Sequence, residues 1–438
     1  MATKNRLLAA RYVSTAVLLL ILMVGSTRAE DLRNRPARVD KPSTESKDLG
    51  PRGDIVLGVS AAFKGPSRGL GIELYRGSMA YFEDVNRQGG IQGRKIVLKA
   101  YDDNYNPAPA IENTIRLIEQ DKVMLLFGYV GTPTVTRVLP LLKKYEDHTV
   151  YLFFPFTGAE PHRQSPYDQM VFNLRASYRQ ETGGLVDNFV KVGRKRIAVF
   201  YQIDAYGRGG WDGVRLALAK QGLSIVGEAT YKRGATFAQS MREQVEILRQ
   251  SNPDAVISVG SYAACAGFIR DARDAGWEVP IANVSFVGSE NLLNLLTEHG
   301  KNAGKNYTGN LINSQVVPSY HDMGLPAVQE YRKLMKQYNP APPPGYQDET
   351  YKPLEASFVS MEGFLNAKLL VEVLKKMGTN PDKKALKAAV ESLDHVDLGI
   401  QVPVSFSAQK HQALDQVYYT VVEDGRFVAF SDWKRWNK

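Results

Sequence analysis

The sequence predicts an α/β protein of two lobes, each built on a doubly wound parallel sheet, and three observations carry that expectation. Short apolar runs rich in β-branched and aromatic residues alternate with stretches of helical periodicity. The alternation runs once from residue 54 and starts again after residue 175. Strand–helix alternation of this kind implies parallel sheets covered on both faces. The first run has strands at 55–60, 95–102, 123–128 and 149–156. Its helices fall at 71–90, 109–120 and 134–146; Ile72, Tyr75, Met79 and Phe82 of the first share one face. The second has strands at 196–201, 225–231, 254–260 and 280–286, with helices at 208–221, 237–250 and 262–275. A third section, from Tyr307, holds a strand, a Pro-rich insertion at 339–347, a helix at 355–378, a further helix and two late strands. These are too few for a third domain and are expected to complete the two lobes.

The N-terminus reads as an export signal over residues 1–29. Lys4, Arg6 and Arg11 precede the apolar run Val17–Val24, and the small residue Ala29 follows. The run is too short to cross a bilayer, which takes about 20 apolar residues. Residues 30–53 are polar and broken by Pro and Gly, a flexible leader. The formal charge of +9 falls to +5 when the four cations of the first 29 residues are set aside. The remaining cations are scattered among acids, which argues against nucleic acid. The single cysteine, Cys265, excludes an intramolecular disulfide and sits in an apolar helical context as a small packing residue.

In open parallel sheets, ligands sit beyond the carboxyl ends of the strands. The loop at 61–71 is Gly-rich, but neither it nor Lys64 completes a dinucleotide or phosphate motif. The loop at 128–136 brings Thr132 and Thr134 to the start of a helix, with Pro133 near its first position. Free backbone N–H groups there suit a carboxylate; the plainer role for Thr132 is a helix cap. The loop at 155–163 offers Phe156, Thr157 and Gly158 on the same edge. In the second run Tyr206 and Tyr262 follow strands, as ligand-lining rings or as core fillers. His148 and His162 have no partner at metal-ligand spacing, and no catalytic motif is present, so no metal, no cofactor and no enzymatic activity are expected.

With these loops in place, the chain resembles the type I periplasmic binding proteins of the branched-chain amino-acid (Leu/Ile/Val) family of ABC transporters. The likeness is carried by VNRQGGIQGRKIVLKAYDDNYNP (85–107), FGYVGTPT (127–134), PFTGAE (155–160), FNLRASYRQE (172–181), AVFYQIDAYGRGG (198–210) and VSFVGS (284–289). It covers about residues 54–435. The resemblance implies two lobes joined by three crossovers near residues 175, 312 and 414. Lobe 1 is then 54–174 plus 313–414, and lobe 2 is 175–312 plus 415–438. It implies an exported, monomeric periplasmic receptor that binds a small amino acid, carboxylate or amide between the lobes and delivers it to an inner-membrane permease. The alternative is a sensing module of the same fold that signals to a membrane receptor. Carried over by position, the binding residues are Leu70, Tyr129, Gly131, Thr132, Thr134, Phe156, Thr157, Gly158, Tyr206, Tyr262, Ser285 and Phe286.

Three positions depart from the family pattern. Ser285 stands where amino-acid-binding members carry a carboxylate for the ligand ammonium, Leu70 replaces an aromatic, and Tyr105 occupies a position of a disulfide found in some relatives. The first departure favours carboxylates or amides over amino acids, unless the nearby Glu290 supplies the missing charge.

Overall fold

A computed structural model describes residues 53–378 and 383–438. The expected export signal and all but the last residue of the leader lie outside these. Among the described residues no helix is long and apolar enough to cross a membrane.

The first sheet is assembled from β1 (Ile55–Ala61), β2 (Ile96–Asp102), β3 (Leu125–Phe127), β4 (Leu152–Phe153) and β5 (Val171–Phe172). Its order is β2-β1-β3-β4-β5, all parallel. Helices α1 (Arg68–Arg87), α2 (Pro107–Glu119) and α3 (Thr132–Lys144) connect its strands. The chain then forms α4 (Tyr178–Lys191), β6 (Ile197–Gln202), α5 (Ala205–Ala219), β7 (Gly227–Tyr231), α6 (Arg242–Gln250) and β8 (Ala255–Val259). It continues through α7 (Tyr262–Asp274), β9 (Ile281–Asn283), α8 (Ser289–Ala303) and β10 (Leu311–Gln315). It returns to the first lobe for α9 (Pro326–Tyr338), α10 (Phe358–Lys376) and α11 (Lys383–Glu391), and ends on β11 (Tyr418–Glu423) and β12 (Arg426–Ala429). The second sheet has the order β12-β11-β10-β9-β8-β6-β7, with β11 and β12 antiparallel and the rest parallel.

The strand order reverses between β1 and β3 in the first sheet and between β6 and β8 in the second. A crevice opens at such switch points beyond the strand ends. The helices that follow β3, β6 and β8 carry Thr132, Tyr206 and Tyr262 in their first turns.

The first lobe is centred on α10, which is buried over most of its length from Phe358 to Leu374. A capping box of Ser357 and Ser360 starts it. It lies against α1 at Gly77 and Gly363: a Cβ on Gly77 would overlap the carbonyl of Ser360, and one on Gly363 the carbonyl of Leu74. Ser78 Oγ donates to the Gly363 carbonyl at 2.9 Å across this crossing. The Pro-rich insertion is a strap over α1. The buried Arg76 guanidinium donates to the carbonyls of Pro340 and Leu354, and Tyr346 stacks on Phe63 with centroids 5.3 Å apart.

The chain passes between the sheets after β5, after β10 and before β11. The first and third passages run side by side: Ala413 N–H donates to the Asn173 carbonyl at 2.9 Å and Leu414 N–H to that of Leu174 at 2.8 Å. Two helices, α8 and α9, and the two-residue strand β5 are absent from the sequence-based expectation. Cys265 is fully buried, accepts from Ser258 Oγ at 3.2 Å, and burial pushes its thiol up to about 12, consistent with a packing role.

Candidate functional site

The wall of the cleft on the first lobe is set by backbone pairing beyond the strands. Val130 bridges Phe156 in parallel register, Phe156 N–H donates to the Tyr129 carbonyl at 2.7 Å, and Gly131 N–H to the Phe156 carbonyl at 3.1 Å. This extension of β3 and β4 sets Thr132 and Thr157 side by side, their hydroxyls 2.7 Å apart and fully buried. Thr132 is the first residue of α3, and the preceding residue Gly131 is its N-cap, at φ 102°. Thr132 therefore does not cap the helix, and the expected capping role is corrected. Pro133 lies in the first turn, where its missing N–H costs nothing. The ring of Tyr105 lies against Gly131, so a side chain there would displace it.

Tyr178 closes this wall. It is the first residue of α4, after the crossing from β5, and its N–H donates to the Gly158 carbonyl at 2.7 Å. Gly158 is required by that approach, because a Cβ would stand 2.7 Å from the Tyr178 nitrogen. The fully buried Tyr178 hydroxyl lies beside those of Thr157 and Thr132. Burial raises its pKa and the Arg175 charge opposes the rise.

The wall on the second lobe is aromatic. Phe286, in a single 3-10 turn that ends at Gly288 (φ 77°), packs on Phe156 (5.2 Å), Tyr206 (4.7 Å) and Tyr105 (5.9 Å). Tyr206 also meets Tyr178 at 5.1 Å, and its hydroxyl donates to the Gly260 carbonyl at 3.3 Å. At another edge of the cleft, Tyr262 accepts from Gly69 N–H at 3.2 Å. The Leu70 side chain there abuts Gly288.

Beside the rings lies a buried ionic cluster. Arg175 Nη2 donates to Glu181 Oε1 at 3.2 Å and to Ser285 Oγ, and its Nη1 faces Glu362 at 3.5 Å. Its guanidinium covers Phe156 at 4.8 Å and approaches Tyr178 at 5.9 Å. Burial opposes the arginine's charge, but Glu362 and Glu181 outweigh it and keep the group cationic. Glu181 also accepts from Ser285 N–H at 2.7 Å and Ser314 Oγ at 2.6 Å. Burial pushes Glu362 up to about 7 despite Arg175.

The structure thus gathers Gly131, Thr132, Phe156, Thr157, Gly158, Tyr206, Ser285 and Phe286 into one neighbourhood. Leu70 and Tyr262 meet at an edge of the same cleft. Two expected residues turn elsewhere. Tyr129 points into the core behind the first sheet, its hydroxyl 3.0 Å from Thr114, because successive side chains of an extended segment face opposite sides. Thr134 Oγ1 donates back to the Val130 and Gly131 carbonyls at 2.6 and 2.8 Å, which ties it to its own helix. Glu290 is buried on α8 and accepts from Phe358 N–H at the start of α10, at 3.3 Å. Tyr105, Arg175, Tyr178 and Glu181 had no assigned binding role. The motif FNLRASYRQE contained three of them, but partners such as Ser285 and Ser314 lie 110 and 133 residues away. A surface hollow of about 690 Å³ lies elsewhere, on the side of the second and third crossings, bordered by Leu325, Ile400, Gln416 and Phe427. It contains none of the expected site residues.

The sequence pattern of the family described as periplasmic binding protein matches residues 54–426. An amino acid binding protein of Pseudomonas aeruginosa is 27% identical over 226 residues, 51% of this chain and 58% of that relative, less than two thirds of its length. A Leu/Ile/Val-binding protein homolog of Brucella melitensis is 25% identical over 354 residues, 79% of this chain and 86% of that one. Among solved structures, a possible leucine/isoleucine/valine-binding protein from Rhodopirellula baltica has a TM-score of 0.77 at 29% identity, covering 90% of this chain and all of its own. The same fold recurs in a Thermus thermophilus branched-chain amino-acid transporter protein with bound valine (TM-score 0.74, 16% identity, 87% of this chain and 96% of that one). It recurs again in an ABC transporter solute-binding protein from R. palustris in complex with 4-hydroxybenzoate (TM-score 0.69, 19% identity, 86% of this chain and 96% of that one).

Proposed function

Because the chain belongs to the periplasmic binding protein family, we propose that it is an exported receptor that closes on a small organic carboxylate and delivers it to an inner-membrane ABC permease. One observation carries the reading of the ligand: three buried hydroxyls, of Thr132, Thr157 and Tyr178, converge where α3 begins. Hydroxyls and first-turn N–H groups are donors, and an anionic oxygen satisfies them together. The apolar body of the ligand packs on Phe156, Tyr206 and Phe286. Two proteins of this fold hold valine and 4-hydroxybenzoate, both carboxylates, which supports the reading.

The lobes, 54–174 with 313–414 and 175–312 with 415–438, rotate about the three crossings. The ligand favours the closed form because it touches both walls. Isothermal titration of the purified protein against amino acids, aliphatic and aromatic carboxylates, and amides tests this. A carboxylate that binds with micromolar or better affinity and loses it in Thr132→Val is expected. Binding of amides with indifference to carboxylates would refute the anionic site.

A further inference from the structure

The charge beside the three hydroxyls is that of a guanidinium. Arg175 is fully buried and lies over Phe156 and next to Tyr178; among the described residues its Nε has no hydrogen-bond acceptor, and its Nη1 has only the ion pair with Glu362 at 3.5 Å. The acids around it are already engaged. Glu181 accepts from Arg175 and Ser285 Oγ on one oxygen and from Ser285 N–H and Ser314 Oγ on the other. Glu362 pairs with Arg175, and Glu290 is turned to the first turn of α10. An α-amino acid bound by its carboxylate at Thr132 and Thr157 carries an ammonium one carbon away. In this cleft the two nearby carboxylates, of Glu181 and Glu362, are paired to Arg175, Ser285 is uncharged, and the ammonium is left without a carboxylate of its own, which is costly for a buried charge. An oxygen at the same carbon accepts from the guanidinium Nε–H.

We infer that the cleft selects 2-oxo and 2-hydroxy carboxylates over the matching α-amino acids, with Arg175 reading the oxygen on the second carbon and Phe286 packing the apolar body. The inference rests on the receptor reading above and narrows its ligand class. Guanidinium donors fit such a pair of neighbouring oxygens better than a lysine would, because they are planar and fixed in direction.

The test is calorimetric titration of the full protein with matched pairs: phenylpyruvate and phenyllactate against L-phenylalanine, and 4-methyl-2-oxopentanoate against L-leucine. In each pair that binds, the oxygen-bearing acid is expected to bind at least about tenfold more tightly. Ser285→Asp, which adds a carboxylate beside Arg175, is expected to narrow or invert that ratio, and its thermal unfolding shows whether the variant is folded. Amino acids that bind as tightly as their oxo or hydroxy counterparts overturn the inference and leave the receptor reading intact. Failure of every carboxylate to bind folded protein overturns both.

Discussion

The two walls of the cleft are built by different means. On the first lobe the wall is fixed by main chain: bridged strand extensions set Thr132 against Thr157, and a carbonyl–amide contact through Gly158 docks Tyr178. On the second lobe it is a set of side chains. Phe286 rides on one 3-10 turn next to a left-handed glycine, and Ser285 is held by Glu181 and Arg175. A wall made of backbone tolerates few changes, whereas a wall made of side chains changes by single substitutions; under the proposed function the first would read the part of the ligand common to many molecules and the second would set which molecule is taken.

The comparison can be broken first at the rigid wall. Thr132→Val combined with Thr157→Val removes two donors to a charged group and is expected to cost about 3 kcal/mol, near 100-fold in affinity by calorimetry. The loss should be similar for every carboxylate that binds; a loss confined to one ligand would mean that this wall also sets specificity. Next, Gly158→Ala drives a Cβ against the Tyr178 backbone. It is expected to destabilise the fold by about 2 kcal/mol, read as a lower midpoint in urea; an unchanged midpoint would show the contact to be slack.

On the adaptable wall, Phe286→Ala should change affinity by only about tenfold for a bulky ligand and reorder the ligands tested. A uniform loss across ligands would erase the distinction between the walls. The smallest effect concerns pH. Glu290 on the second lobe accepts from Phe358 N–H on the first, and burial pushes it up to about 7 from 4.5. Its facing groups are Tyr320, which bonds it, and Glu73, whose charge raises it further. Opening the lobes returns it to water and to an ordinary value, so the closed form holds the proton more tightly. Closure is then favoured at low pH and loses ground as pH rises from about 4.5 to about 7, with no further loss above. Ligand binding at pH 6 should take up a fraction of a proton, seen by titration in buffers of different ionisation enthalpy and absent in Glu290→Gln.

The long strands and the loops after them were legible because period and composition are local. β1, β6 and β8 carry five to seven residues each of largely apolar pattern. The strand Val171–Phe172 has two residues, too few for any period, and exists because β4 pairs with it. Helix α8 was hidden because its first residue, Ser289, closes the motif VSFVGS that follows β9. Within the site, Thr132 and Thr157 stood out as hydroxyls after strands, whereas Arg175 and Tyr178 are ordinary residues until folding brings Ser285 and Gly158 to them. Tyr129 and Tyr105 show the converse. Loop position predicted the first to face the ligand and gave the second no such role, but the pleat and the bare Cα of Gly131 decide otherwise.

The most direct measurement is a crystal structure of the protein with its tightest-binding carboxylate. The account predicts the carboxylate between the lobes, within hydrogen-bond distance of the Thr132, Thr157 and Tyr178 hydroxyls, with its body against Phe156 and Phe286. A ligand seated instead in the hollow bordered by Leu325, Ile400 and Phe427, with the three hydroxyls untouched, would contradict it.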